Sequence, residues 1–230
     1  MKRILITGAS RGIGRAIAQR LADGQTTLFL HGRDNESLAH TCRLVEEKEA
    51  RAIPLLGDLR DPSQITEILE KIGDEPLDAL INNAGVAFVK PLEALLLDDW
   101  QKTLSVNVTA PFLLTQKLAP KMKPGSSIVN ILSVAAKTGF SNWSSYCMSK
   151  FALEGFSQSV RAELRPRGIR VINIYPAATA TDIWNGVSGE WPREKMMAAE
   201  EVAAAVEFAL KQPGNVLVEN ITLGSVSGDL

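Results

Sequence analysis

Thr7-Gly8-Ala9-Ser10-Arg11-Gly12-Ile13-Gly14 follows the short apolar run Ile4-Leu5-Ile6 and opens a helical pattern that continues to Ala22. A strand, a glycine turn and a helix in that order begin a doubly wound nucleotide-binding sheet. Glycines permit the tight turn and let the backbone approach a pyrophosphate, which then faces the helix N-terminus. The spacing is Gly-x-x-x-Gly-x-Gly, not the commoner Gly-x-Gly-x-x-Gly. Gly8, Ser10, Arg11, Gly12, Ile13 and Gly14 are the candidate phosphate-loop residues.

Outward from this turn, apolar runs alternate with helical patterns. Strands are predicted over residues 3–7, 27–31, 52–56, 79–81, 127–131, 170–174 and 216–223, and helices over 13–22, 36–48, 62–72, 99–122, 144–164 and 199–210. The strand segments are mostly continuous apolar runs, which suits parallel strands buried on both faces. The alternation predicts an α/β protein with right-handed crossovers in a doubly wound Rossmann-type sheet. No internal repeat and no Gly/Ser linker interrupts it, so residues 1–230 read as a single domain. The main irregular stretch holds Trp184, Gly186, Gly189, Trp191 and Pro192, and its place after a strand end suggests a substrate lid over about residues 182–198.

Composition narrows the function classes. Hydrophobic residues are 45% of 230 and charged residues 22%, enough for a sizeable core. Lys plus Arg is 25 and Asp plus Glu is 26, a net charge of -1, so no basic field exists to hold nucleic acid or an anionic membrane. The apolar run before Thr7 is too short for a signal peptide, and no stretch approaches the ~18 apolar residues of a membrane helix. Cys42 and Cys147 make no disulfide framework, which points to a reducing, cytoplasmic setting. His31 and His40 belong to no metal-ligand cluster, so no metal is assigned, although His31 ends a strand on the adenosine side.

The chemistry begins with Tyr146 and Lys150 in Ser145-Tyr146-Cys147-Met148-Ser149-Lys150-Phe151. Four residues apart on a helix, the two side chains share a face. A fixed ammonium favours the phenolate, so Lys150 is expected to lower the Tyr146 pKa and let it trade a proton with an alcohol or ketone. Cys147 points about 100° away on the helix wheel and reads as a small packed residue. The second strand ends in Leu30-His31-Gly32-Arg33-Asp34. An acidic residue there bonds the ribose of NAD, whereas arginine accommodates the 2′-phosphate of NADP. Arg33, with Arg11, favours NADP(H); the alternative is NAD(H), with Asp34 on the ribose and Arg33 a solvated charge.

Taken in order, Thr7–Gly14, Asp58, Asn82-Asn83-Ala84-Gly85, Asn107, Ser133, Tyr146 and Lys150 resemble the motif set of the short-chain dehydrogenase/reductase family, from Arg3 to about Pro176. The resemblance implies a seven-stranded parallel sheet. It also implies Tyr146 as general acid in carbonyl reduction, Ser133 as donor to the substrate oxygen and Lys150 on the nicotinamide ribose. Asn107 would hold a water linking Lys150 to solvent. Asp58 and Leu59 would meet the adenine, Asn83, Ala84 and Gly85 would run beside the cofactor, and Pro176 and Thr181 would meet the nicotinamide end. Helices bearing Asn107 and Tyr146 pair subunits in the family, which implies a homodimer or homotetramer.

Two departures stand out. Ala177 replaces an expected glycine, so the backbone there must avoid positive φ or accept strain. The tail from Leu223 to Leu230 lacks the usual Asp-Gly-Gly and is similar to bacterial sepiapterin-reductase-like members. Phe140, Trp143, Trp184 and Trp191 offer aromatic surface either to an aromatic or hydrophobic ketone or to a lid or subunit interface. The expected activity is NADPH-dependent reduction of a small carbonyl substrate. The alternatives are a 3-oxoacyl carrier-protein reductase, docking its partner near Lys121, Lys123 and Arg165, and a catalytically silent nucleotide sensor.

Overall fold

A computed structural model describes residues 1–187 and 191–226. Its strands are β1 (Lys2–Ile6), β2 (Thr26–Gly32), β3 (Arg51–Leu56), β4 (Ala79–Asn82), β5 (Ser127–Ile131), β6 (Arg170–Pro176) and β7 (Asn220–Leu223). They form one parallel sheet in the order β3-β2-β1-β4-β5-β6-β7. The helices are α1 (Gly12–Leu21), α2 (Asn35–Glu46), α3 (Pro62–Ile72), α4 (Leu97–Leu104), α5 (Ala110–Leu118), α6 (Ser144–Leu164) and α7 (Ala199–Leu210). The chain runs outward from β1 to β3, then returns to place β4 on the other side of β1. That reversal opens a crevice at the carboxyl ends of the strands.

Alternate residues of each strand feed two apolar layers. Ile4, Ile6, Leu28, Leu30, Ile172 and Ile174 meet Ile17 of α1 and Val202 and Val206 of α7 on one face. Leu5, Phe29, Leu80, Ile128 and Val171 meet Ile65, Ile68, Leu114 and Leu118 of α3 and α5 on the other. Both faces are buried, which is why the strands read as unbroken apolar runs. Each fully buried Leu or Ile contributes ~1.5–3 kcal/mol of transfer free energy.

A polar seam crosses the second layer. Asn82, Asn130, Asn173 and Asn220 stand in register on β4, β5, β6 and β7. Asn82 Nδ2 donates to Asn130 Oδ1 at 2.8 Å, and Asn130 Nδ2 donates to Ser157 Oγ of α6 at 2.8 Å. Asn173 Nδ2 donates to Glu154 Oε2 of α6 at 3.1 Å. The bonds to Ser157 and Glu154 fix the rotation of α6 over the sheet.

Two predicted elements come out differently. The helix predicted over 99–122 is broken by a five-residue π turn, Ser105–Thr109, between α4 and α5. Pro111 has no N–H for the Asn107 carbonyl, and Ala110 N–H reaches back to Ser105 O instead. The strand predicted over 216–223 is confined to Asn220–Leu223. Further back, the Val171 carbonyl of β6 accepts from Arg161 Nε at 2.8 Å in place of a strand partner.

Candidate active site

A crevice of about 470 Å³ lies across the carboxyl ends of the strands. Its walls include Gly8, Ser10, Arg11, Gly12, Ile13, Arg33, Leu59, Asn83, Ala84 and Gly85 at one end. Ser133, Tyr146, Lys150, Pro176 and Thr181 stand at the other. Two sets of residues far apart in the chain thus share one cavity.

The glycine turn is held by close contacts. Gly8 has φ +66°, and a Cβ there would lie 2.9 Å from Ala84 Cα. Gly14 does not line the crevice; its role is packing, since a Cβ would lie 2.1 Å from Gly8 O and 2.5 Å from Asn83 Nδ2. Asn83 Nδ2 donates to Thr7 O at 2.9 Å and Gly8 O at 3.1 Å, and Thr7 Oγ1 accepts from Asn83 N and Ala84 N at 3.0 Å. Arg11 precedes α1 in an extended conformation, with no side-chain cap and no acidic residue in the first turn. The opening N–H groups of α1 therefore keep their capacity for an anion in the crevice.

His31 is a site residue whose role sequence reasoning missed. It is 2% exposed. Its Nδ1 accepts from Gly8 N at 3.3 Å and its Nε2 donates to Gly57 O at 3.1 Å. Burial pulls its pKa down to about 4, so the neutral ring bridges β1, β2 and the loop after β3. The available signal was a histidine between the apolar Leu30 and the tight Gly32.

At the same end, Arg33 is exposed and faces the crevice beside Arg11, which lies 3.9 Å from Asp182. Asp34 caps α2, its Oδ1 accepting from Ser37 N at 2.8 Å; that bond and the Ser37 hydroxyl hold it below the usual carboxylate range. Asp34 is thus engaged in capping. Leu59 faces the crevice, but Asp58 does not line it. The Asp58 carboxylate takes Arg60 N at 2.9 Å and Arg60 Nε at 2.8 Å, which keeps its pKa low and turns it to a surface hollow beside Asp61 and Gln64.

Helix α6 presents Tyr146 and Lys150 one turn apart. Ser133 lies two residues past β5 and caps the short turn Val134–Ala136, its Oγ accepting from Ala135 N at 3.1 Å. The capping and site readings of Ser133 therefore coexist, because the same residue also lines the crevice with Tyr146 and its hydroxyl acts on the phenol. Lys150 is 4% exposed and donates to Ile131 O at 2.8 Å. The expected depression of the Tyr146 pKa is not found in the chain by itself. Desolvation pushes the phenol up to about 12, with the Ser133 hydrogen bond pulling the other way. Lys150 Nζ lies 5.5 Å from the ring centroid, is drawn to a carbonyl, and is itself pulled down to about 8 by burial.

Asn107 sits in the π turn, buried and off the crevice wall. Its Oδ1 accepts from Val86 N, and its Nδ2 donates to Val86 O and Ser149 Oγ, each at 2.9 Å. Ser149 Oγ donates in turn to Tyr146 O at 2.7 Å. Ala177 escapes the anticipated strain, since it does not adopt positive φ, and its N donates to Leu223 O at 2.8 Å. Gly189 and the tail residues Ser227–Leu230 lie outside the described residues.

Phe140, Trp143, Trp184 and Trp191 all line the crevice. The basic residues Lys121 and Arg165 do not: Lys121 pairs with Asp74 at 2.6 Å and Arg165 with Glu219, at the amino ends of β5 and β6 and opposite the crevice. Among the described residues no cluster could hold a metal ion, and no helix is long and apolar enough to cross a membrane.

A doubly wound sheet with a glycine turn at its switch point and a Ser–Tyr–Lys set in the same cavity defines a Rossmann-type oxidoreductase. The family model for short chain dehydrogenase matches residues 2–190. The chain belongs to the short-chain dehydrogenase/reductase family. It is 36% identical to sepiapterin reductase of Chlorobaculum tepidum, over 100% of this chain and 99% of that one. It is 34% identical to the 3-oxoacyl acyl-carrier-protein reductase FabG of Aquifex aeolicus, covering 89% and 88%. A short chain dehydrogenase of Burkholderia cenocepacia, solved in complex with NADP, superposes with TM-score 0.86 at 33% identity, covering 96% of each chain.

Proposed function

We propose that this chain reduces a ketone or aldehyde to an alcohol with NADP(H), Tyr146 being the proton donor. The observation that carries the reading is the Ser133 and Tyr146 hydroxyl side chains, with buried Lys150 one turn on, in the same crevice as the uncapped start of α1. The residues fit a dinucleotide: the close approach of Gly8 to Ala84 leaves backbone and no side chain at the loop, and α1 begins without a competing carboxylate. Gly8, Ser10, Arg11, Gly12 and Ile13 would hold the pyrophosphate. Arg33 and Arg11 would take the 2′-phosphate, a choice favoured by the engagement of Asp34 in capping α2. The Burkholderia relative was solved in complex with NADP, which supports the same choice. Leu59 would face the adenine in place of the Asp58 carboxylate, and Asn83, Ala84 and Gly85 would flank the dinucleotide. Lys150 and Tyr146 would hold the nicotinamide ribose, with Pro176 and Thr181 at the ring.

When bound, the dinucleotide supplies a hydride to the carbonyl carbon. The Ser133 and Tyr146 hydroxyls donate to the carbonyl oxygen as negative charge grows there. A phenol raised to about 12 arrives protonated at neutral pH, as a donor must, and passes its proton to the nascent alkoxide. The Lys150 ammonium stabilises the phenolate left behind. Asn107 acts by position: it ties the π turn to Val86 and to Ser149, which holds the Tyr146 carbonyl, and the water link to Lys150 rests on that placement.

The same reading takes the chain as one cytoplasmic domain, with a lid over about residues 182–198 and a homodimer or homotetramer formed over α5 and α6. Exposed Phe112 and Phe151 on those helices support the assembly. Purified chain with NADPH or NADH and a carbonyl panel tests the activity, the panel including an acetoacetyl thioester. NADPH oxidation matched by alcohol formation is expected. Tight NADPH binding with no turnover on any member would leave only the sensor reading. A strong preference for the thioester would favour the carrier-protein reductase, although Lys121 and Arg165 stand at the wrong end of the sheet for its docking.

A further inference from the structure

The substrate end of the crevice is walled by three indoles. Trp143 stands immediately before α6, its ring centroid 5.5 Å from that of Tyr146 at an interplanar angle of 67°. Trp184 lies 5.6 Å and Trp191 6.2 Å from Trp143, both edge-on, and Trp184 and Trp191 are 4.8 Å apart. A carbonyl held by Tyr146 would therefore lie beside Trp143. Val134, Ala135, Phe140 and Ile183 complete this part of the wall.

Among the described lining residues the charges nearest this end are Lys150, buried against Ile131 O, and Asp182, which precedes Ile183. The other charged lining residues are Arg11, Arg33 and Asp34. Arg11 and Asp182 face each other at 3.9 Å, and Asp34 caps α2. The Trp184 indole N–H already donates to Thr179 O at 2.8 Å, so that ring has only apolar surface left to offer. A carboxylate or phosphate placed here would lose its water and find no counter-charge. A flat aromatic ring would instead find edges and faces at stacking distance.

Trp143 is anchored through its backbone. Asn142 before it takes φ 67°, a left-handed conformation that asparagine tolerates, and its carbonyl accepts from Lys90 N at 2.9 Å. Trp143 N donates to Phe140 O at 3.2 Å, and Trp143 O accepts from Cys147 N at 2.8 Å. Both peptide groups of the platform are thereby fixed.

We propose that the substrate is an uncharged ketone bearing a planar aromatic group, and that Trp143 is the residue that selects it. The inference rests on the reductase reading above. Kinetics with 1-phenyl-1,2-propanedione and 2,3-butanedione test it, together with saturation-transfer NMR of acetophenone and 4-acetylbenzoate on the protein without dinucleotide. The expected kcat/KM ratio favours the phenyl dione by about 10- to 100-fold. Trp143→Ala is expected to collapse that ratio and Trp143→Phe to restore most of it. Acetophenone should show transfer that Trp143→Ala removes, and 4-acetylbenzoate little. Turnover with equal or reversed preference would overturn the inference while leaving the reductase reading intact, as would a ratio unchanged in Trp143→Ala. Transfer to acetophenone that depends on Trp143, with no turnover of any ketone, would support the aromatic site and defeat the reductase reading.

Discussion

Replacing His31 with glutamine removes the proton-binding group beneath the glycine turn. In the folded chain the ring accepts from Gly8 N and donates to Gly57 O, and its pKa falls from the ordinary 6.5 to about 4 because it is buried. The difference, 6.5 minus 4, is about 2.5 pKa units, or about 3 kcal/mol at 1.36 kcal/mol per unit. The sign follows from which state binds the proton. Between about pH 4 and 6.5 the unfolded chain is protonated at His31 and the folded chain is not, so stability falls as pH drops through that window. Above pH 6.5 the term vanishes, and His31→Gln then costs only its two hydrogen bonds, about 1–3 kcal/mol. Urea unfolding of both proteins from pH 7.5 to 4.5 tests this. The carboxylates titrate in both and cancel in the difference. The wild-type chain should lose stability faster on acidification, so that the two curves converge toward pH 4. Parallel curves over the whole range would refute the buried, neutral ring.

Three further outcomes are expected. Lys150 carries its ammonium below about pH 8 and Tyr146 keeps its proton to about 12, so ketone reduction should fall off above about pH 8 because of Lys150 and not the phenol; the Lys150→Arg pH–rate profile should lose that limb. Gly14→Ala drives a Cβ to 2.1 Å from Gly8 O and should cost about 3 kcal/mol in denaturant unfolding. Arg33→Ser should weaken NADPH binding by about 10- to 100-fold in calorimetry while changing NADH binding little.

The sheet was legible because both its faces are buried, so strands such as Ile128-Val129 and Ile172-Asn173-Ile174 stand out against the polar turns. What escaped local pattern was set by partners far away in the chain. The π turn depends on Asn107 meeting Val86 and Ser149, and the short β7 depends on Arg161 reaching Val171 O. The asparagine seam is invisible until β4 to β7 are laid side by side in register. In the site, the order of the motifs brought Ser133, Tyr146 and Lys150 into one cavity with the glycine turn. Helical spacing alone suggested a depressed phenol, but depth decides the sign, and burial raises it with only the Ser133 hydroxyl opposing. Arg60 stands only two residues from Asp58, so the capture of that carboxylate was readable and was missed.

The central claim is that the Tyr146 hydroxyl delivers the proton to the carbonyl oxygen. Tyr146→Phe removes one oxygen and leaves the glycine turn, Arg33 and Lys150 in place. Turnover and NADPH affinity measured on the same preparation should separate: the rate falls by at least ~100-fold while the dissociation constant barely moves. A variant that reduces ketones within a few-fold of the wild-type rate would contradict the account.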